Sequence, residues 1–147
     1  MHYSHKSSVR GAFTLMELMI VIIILGLLAS LILPNLMGSA DKAKRDLVCI
    51  QMKNVAQILD TFKLDNSVYP TTEEGLQALV SNPSEENYPA YNKRGYVSKG
   101  KLPKDSWKND FIYINNGSDF DLISLGADRK EGGEDDAKDI RFSECKF

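Results

Sequence analysis

Residues 11–25, Gly-Ala-Phe-Thr-Leu-Met-Glu-Leu-Met-Ile-Val-Ile-Ile-Ile-Leu, place one acidic side chain, Glu17, near the start of an otherwise apolar segment. Residues 18–33 contain no charge at all, and Glu17 is the only charge in residues 13–33. A helix of that length is just long enough to cross a bilayer. A charged side chain at membrane depth costs about 2.5–3.5 kcal/mol on insertion scales. Glu17 therefore predicts a functional contact with a cation supplied by another chain.

The residues before the apolar segment are basic. Residues 1–12 include His2, His5, Lys6 and Arg10 and no acid, a pattern typical of an export signal. The positive end is expected to stay in the cytoplasm. A conventional cleavage site within residues 27–30 is the alternative. The helical pattern continues beyond residue 35, however, and this favours an apolar segment that forms the first half of a long helix.

Beyond Pro34 the sequence becomes amphipathic. Apolar residues recur every three or four positions, as on one face of a helix: Leu47, Val48, Ile50, Met52, Val55, Ile58, Leu59 and Phe62. This pattern predicts a continuous helix from Phe13 to about Leu64, followed by stop signals in residues 65–67. A membrane helix followed by a separate soluble helix is the alternative.

The remaining sequence predicts a small head of mixed structure. Thr71 and Glu74 form a capping-box pattern that predicts a short second helix. Residues 81–110 have little periodicity and predict a long loop, with Trp107 as its anchor. Three strands are predicted at residues 111–114, 120–125 and 140–142. The predicted fold class is α+β, with a small antiparallel sheet packed on the amphipathic half of the helix.

Composition excludes several classes of function. The 147 residues include 18 Lys and Arg against 20 Asp and Glu, a net charge of -2 that supplies no basic surface for nucleic acid. Both histidines, His2 and His5, lie in the basic stretch of residues 1–12, and no nucleophile is paired with a base, so an enzyme is not expected. Cys49 and Cys145 match no zinc-binding spacing. Either the two cysteines form one disulfide, or Cys49 is unbonded and packs as a small apolar residue.

The N-terminal motif resembles that of type IV pilins and pseudopilins. In that family a prepilin peptidase cuts just before a Phe and methylates the new amine, and a Glu is the fifth residue of the mature chain. The resemblance implies cleavage between Ala12 and Phe13, which makes Glu17 fifth. Ala12 departs from the usual Gly, and a cut after Gly11 would make Glu17 sixth. The amine of Phe13 and the Glu17 of a neighbouring subunit would then pair and set the register of a homopolymer.

The same resemblance divides the chain into three parts. Residues 1–12 are the leader, residues 13–36 the transmembrane and assembly half of the helix, and residues 37–147 the periplasmic pilin-like head. Gly26 and Pro34 bound a stretch of helix that, by resemblance, loosens when the filament forms. Both are otherwise tolerated in a membrane-spanning helix.

Three further segments, residues 64–79, 102–107 and 121–128, resemble the major pseudopilins of type II secretion systems. This resemblance implies a single-pass inner-membrane protein, with a cytoplasmic N-terminus, that assembles into a periplasmic filament for protein secretion. The implied partners are prepilin peptidase, other pseudopilins and an inner-membrane assembly platform. The alternatives are a type IV pilin for adhesion, motility or DNA uptake, and a membrane-tethered calcium-dependent sensor or binding module.

An acidic loop lies between the second and third predicted strands. Six of the residues from Asp128 to Asp139 are acidic, and composition alone favours a solvated loop. The family resemblance instead implies a calcium site, a cation that takes six to eight oxygen ligands. The implied ligands are Leu125 through its carbonyl, Asp128, Lys130, Asp135, Asp136 and Asp139. Arg129 stands where the family usually has Gly.

Overall fold

The computed structural model describes residues 11–134 and 137–147; for residues 33–37 it describes the helical backbone but not the side chains. The chain divides into two compact units, one ending at Ser39 and the other beginning at Ala40. This division lies shortly after the predicted end of the membrane segment. Most of the predicted leader lies outside the described residues.

The first element is a single long helix, α1, Leu15–Asn66, so the continuous helix predicted from the sequence is confirmed. Thr14 begins it as an N-cap, because its Oγ1 accepts a hydrogen bond from the backbone N–H of Glu17 at 3.2 Å. At the other end, the backbone N–H of Ser67 donates to the carbonyl of Lys63 at 2.7 Å. Ser67 has a φ of 67°, the left-handed conformation that ends many helices.

In the second unit, α1 presents a buried stripe with three- and four-residue spacing. Its fully buried members are Val48, Met52, Val55, Leu59 and Phe62. The prediction was wrong for Leu47 and Ile50, which are 46% and 55% exposed. A helix turns once every 3.6 residues, so these two side chains point away from the stripe. Burying each stripe residue contributes about 1.5–3 kcal/mol to the stability of the head.

Three short antiparallel strands pack on this stripe, and the predicted sheet is confirmed. They are β1, Ile112–Asn115, β2, Phe120–Ser124, and β3, Ile140–Arg141, in the order β1-β2-β3. A 3₁₀ helix, Phe142–Glu144, follows β3. The sheet side chains that share a core with the stripe are Tyr113, Phe120, Leu122 and Ile140.

The predicted second helix is a turn followed by a 3₁₀ helix, Gly75–Leu79. The capping box itself forms: the N–H of Thr71 donates to Glu74 Oε2 at 2.8 Å, and the N–H of Glu74 donates to Thr71 Oγ1 at 3.2 Å. An α-helix does not continue from it because Gly75 has a φ of +59°, which interrupts the helical path. Sequence reasoning identified the cap but not this interruption.

The long loop of residues 81–110 is irregular as predicted, apart from a 3₁₀ helix at Ser98–Gly100. Its tyrosines hold it to the helix, since the rings of Tyr88 and Tyr96 both lie 5.2 Å from the ring of Phe62. The Tyr88 hydroxyl donates to Glu74 Oε2 at 2.6 Å. Burial, followed by this hydrogen bond, raises the pKa of Tyr88 to about 12. Trp107 also packs against the core, but it is only partly buried.

Candidate functional site

The first candidate site is the apolar start of α1. Leu15–Ile32 form an 18-residue segment with a mean hydropathy of 2.8, and none of the segment is buried within the chain. The core helix of a soluble domain is mostly buried, whereas no residue of this segment is buried among the described residues. Its length and composition suit a membrane span, although a signal sequence meets the same criterion.

The predicted cleavage junction lies just before the helix. Ala12 and Phe13 have non-helical backbone, and the Phe13 side chain is 85% exposed. Glu17 is exposed and belongs to the first turn of α1, where a negative charge interacts favourably with the helix dipole. The junction is therefore accessible, while its cleavage and the pairing of Glu17 with a neighbouring amine stay predictions.

Gly26 and Pro34 lie inside α1. Among the described residues, a Cβ atom added at Gly26 would meet no atom within 4 Å apart from its own helix backbone, so no contact seen there requires a glycine. Small residues of this kind let a neighbouring membrane helix approach closely. The helical backbone continues through Pro34, whose side chain lies outside the description. The predicted loosening between these two residues stays a prediction.

The second candidate site is the acidic loop between β2 and β3. Asp128 is exposed, and its Oδ1 accepts the N–H of Lys130 at 3.1 Å. Asp139 Oδ2 accepts the N–H of Gly132 at 3.0 Å. The other oxygen of this carboxylate, Asp139 Oδ1, is buried and has no hydrogen-bond partner among the described residues. A buried acceptor without a partner requires an explanation, and a bound cation is one.

The loop brings together some of the predicted ligands but not all of them. Leu125 and Asp139 line the same cavity of about 430 Å³, and Asp128 and Lys130 do not line it. Asp135 and Asp136 lie outside the described residues. Across residues 11–134 and 137–147, no three Asp, Glu, His or Cys side chains come together as a metal-binding group. Of the predicted ligands, this cavity therefore receives Leu125 and one carboxylate, that of Asp139, while Glu131 and Arg141 line it as well.

The loop follows a tight backbone path. Gly133 has a φ of +94°, and a Cβ there would collide with the carbonyl oxygen of Ala137, so only glycine fits. Arg129 has a φ of 60°, a conformation that costs a residue with a side chain about 1–2 kcal/mol. This is the position where the resembling family usually has Gly.

Sequence reasoning missed two residues outside the acidic loop, Arg45 and Asp105, whose side chains form hydrogen bonds with residues at the two ends of the loop. Arg45 Nη1 on α1 donates to the carbonyl oxygen of Lys138 at 2.8 Å. Asp105, only 3% exposed, accepts a hydrogen bond from the Ser124 hydroxyl at the end of β2. The turn that begins at Asp105 is recognisable from the local sequence, but its distant hydrogen-bond partner, Ser124, is not.

The chain end is attached to α1 by a disulfide. The structure joins Cys49 and Cys145, whose Cα atoms are 5.7 Å apart. Both residues are half-buried and pack against the core. Of the two alternatives that the sequence left open, the structure contains the bonded pair.

Comparisons with known proteins find similar sequences and a similar structure among the pseudopilins of type II secretion systems. A family model described as type II secretion system protein G matches residues 35–143. The chain is 45% identical over 137 residues to the type II secretion system core protein G of Vibrio cholerae, with 92% of each chain covered. It is 46% identical over 134 residues to the core protein G of Pseudomonas aeruginosa, covering 89% of this chain and 93% of that protein. The structure is similar to the crystal structure of the major pseudopilin from the type 2 secretion system of enterohaemorrhagic Escherichia coli. That match has a TM-score of 0.62 and 42% identity, and covers 74% of this chain and 93% of the other.

Proposed function

This chain belongs to the protein G family of type II secretion systems, and from that premise we propose that it is the structural subunit of a periplasmic pseudopilus that drives protein secretion across the outer membrane. One observation supports this role above the others: Leu15–Ile32 is long and apolar enough to cross a membrane, and none of its residues is buried in the part of the chain that the structure describes. Such a surface needs lipid around it before assembly and neighbouring helices around it afterwards. The proposed role is structural rather than catalytic.

We propose that the chain crosses the inner membrane once, with its N-terminus in the cytoplasm and its head in the periplasm. Prepilin peptidase would cut between Ala12 and Phe13 and methylate the new amine, and the exposed, non-helical backbone of the junction supports access of a peptidase to this bond. Each mature amine would then pair with Glu17 of a neighbouring subunit. The homopolymer would grow on an inner-membrane assembly platform together with other pseudopilins.

Deleting the gene for this chain in its own host is expected to trap secreted proteins in the periplasm, because no filament would form to move them. Surface pili should be unaffected. The measurement is an assay of secreted proteins in periplasm and medium, with pili counted by electron microscopy. Restoration by the wild-type gene is the control. Normal secretion together with lost pili would instead support the alternative of a type IV pilin.

We further propose that the loop between β2 and β3 binds calcium. The buried Asp139 Oδ1, which has no hydrogen-bond partner among the described residues, supports a cation at this place. The residues that would hold it are Leu125 and Lys130, each through its backbone carbonyl, and Asp128, Asp135, Asp136 and Asp139 through their carboxylates. Bound calcium would neutralise a loop that its own negative charges otherwise push open. It would tie the end of β2 to the start of β3.

Calcium is expected to stabilise the full-length chain in detergent, because a ligand that binds only the folded state shifts the unfolding equilibrium. At calcium about 100-fold above its dissociation constant the gain is about 2.7 kcal/mol, or roughly 10 °C in melting temperature. The measurement is a thermal melt in calcium and in chelator. Asp128→Asn should reduce the calcium-dependent shift.

Glu86→Gln is the matched control, since it removes one exposed carboxylate from the 81–110 loop. It should keep the whole calcium-dependent shift. A wild-type chain that melts at the same temperature in calcium and in chelator would contradict the calcium proposal.

A further inference from the structure

A network of hydrogen bonds connects the loop after residue 104 to the end of β2. Asp105 Oδ1 accepts the backbone N–H groups of Trp107 and Asn109, at 2.9 and 2.7 Å. Its other oxygen, Oδ2, accepts the hydroxyl of Ser124 at 2.7 Å. Ser124 is fully buried and Asp105 is nearly so. Three donors thus hold this carboxylate in one orientation, as a buried charge requires.

The network reaches the backbone of Gly126 from both sides. Ser124 Oγ accepts the N–H of Gly126 at 3.2 Å, while its own proton goes to Asp105. Asn109 Nδ2 donates to the carbonyl oxygen of Gly126 at 3.1 Å. Gly126 has a φ of +68°, which glycine adopts without strain. Both peptide groups of Gly126 are therefore fixed by side chains that lie outside the acidic loop.

Fixing the N–H of Gly126 also fixes the carbonyl of Leu125. The two groups belong to one planar trans peptide, in which the C=O and N–H bonds point in opposite directions. Since the N–H points at Ser124, the Leu125 oxygen points away from the buried Asp105. Leu125 lines the cavity that also contains Asp139.

We infer that Asp105, Ser124 and Asn109 are positioning residues, which orient the Leu125 carbonyl toward a cation in the acidic loop. This inference rests on the proposed calcium site. It adds side chains outside the acidic loop that would hold one of the calcium ligands in place. A preorganised ligand loses less conformational freedom when the cation binds. The network should therefore change calcium affinity more than it changes the stability of the calcium-free chain.

The test is isothermal titration of calcium into the full-length chain in detergent, with a melt in chelator for each variant. Asn109→Ala removes one neutral hydrogen bond and leaves the backbone bond to Asp105 intact. We expect it to weaken calcium binding roughly 3- to 10-fold. Ser124→Ala should weaken it further, and Asn109→Ala keeps the test valid if Ser124→Ala does not fold.

Asn82→Ala is the matched control. Asn82 is also half-buried, and its Nδ2 donates to the backbone carbonyl of Tyr88 at 3.2 Å, while its Oδ1 accepts the N–H of Ser84 at 3.0 Å. It should leave calcium affinity at the wild-type value while lowering the melting temperature in chelator at least as much as Asn109→Ala does, because it removes two hydrogen bonds and not one.

The possible outcomes are distinguishable. Wild-type affinity in Asn109→Ala, or equal weakening in Asn109→Ala and Asn82→Ala, would overturn the positioning role and leave the calcium site intact. No calcium binding by the wild-type chain would overturn the calcium site, and the positioning role with it.

Discussion

Replacing both cysteines, Cys49→Ala with Cys145→Ala, is expected to lower the free energy of unfolding by about 4 kcal/mol. The bond joins residues 96 positions apart, so it closes most of the head into one loop. In the chain-entropy description, a cross-link around a loop of about 100 residues stabilises by about 4.7 kcal/mol, and measured values are usually somewhat smaller. The measurement is denaturant unfolding of the full-length chain in detergent.

Reductant supplies the control for this variant. It should lower the wild-type midpoint to that of the double variant and leave the variant itself unchanged. The variant should also show a steeper denaturant dependence, because an unfolded chain without the cross-link exposes more surface. Equal stability of the wild-type chain with and without reductant would contradict this prediction.

The helix and the sheet follow from regular patterns in the sequence. The spacing of Val48, Met52, Val55, Leu59 and Phe62 is that of a helix face, and one face of a helix needs a partner to cover it. The three strands have β-branched and aromatic residues bounded by turn residues. Such periodic patterns depend only on residues that are close in the sequence, so the elements they predict can be identified without knowing the tertiary contacts.

Other features depend on long-range contacts or on one backbone angle, and a pattern of residue types does not encode these. Leu47 and Ile50 are apolar, but their side chains point away from the buried stripe and stay exposed, because the apolar period alone does not fix the width of the covered face. Gly75 interrupts the predicted second helix through its positive φ. The sequence predicted the acidic loop as a candidate cation site but not the residues that support it. Arg45 is 93 residues away from its partner Lys138 in the sequence, and Asp105 is 19 residues away from its partner Ser124.

Replacing Glu17 by Leu is expected to lower filament formation by 100-fold or more. Removing one partner of a buried ion pair typically costs about 3–5 kcal/mol, which is more than a hundredfold in an association constant. The variant should still enter the membrane, because removing a charge from an apolar segment favours insertion by about 2.5–3.5 kcal/mol. The measurements are filament counts by electron microscopy and the amount of secreted protein in the medium.

The control for Glu17→Leu is Met16→Leu, a change of similar size that keeps the carboxylate in the same turn of the helix. It should assemble normally. Carbonate extraction of the membranes should recover equal amounts of both variants, so a difference in filaments would reflect assembly and not insertion. Glu17→Asp keeps the charge on a shorter side chain and should restore assembly in part. Wild-type filament counts in Glu17→Leu would show that subunit register does not depend on this charge. Intact function of the variant without filaments would favour a membrane-tethered module over a filament subunit.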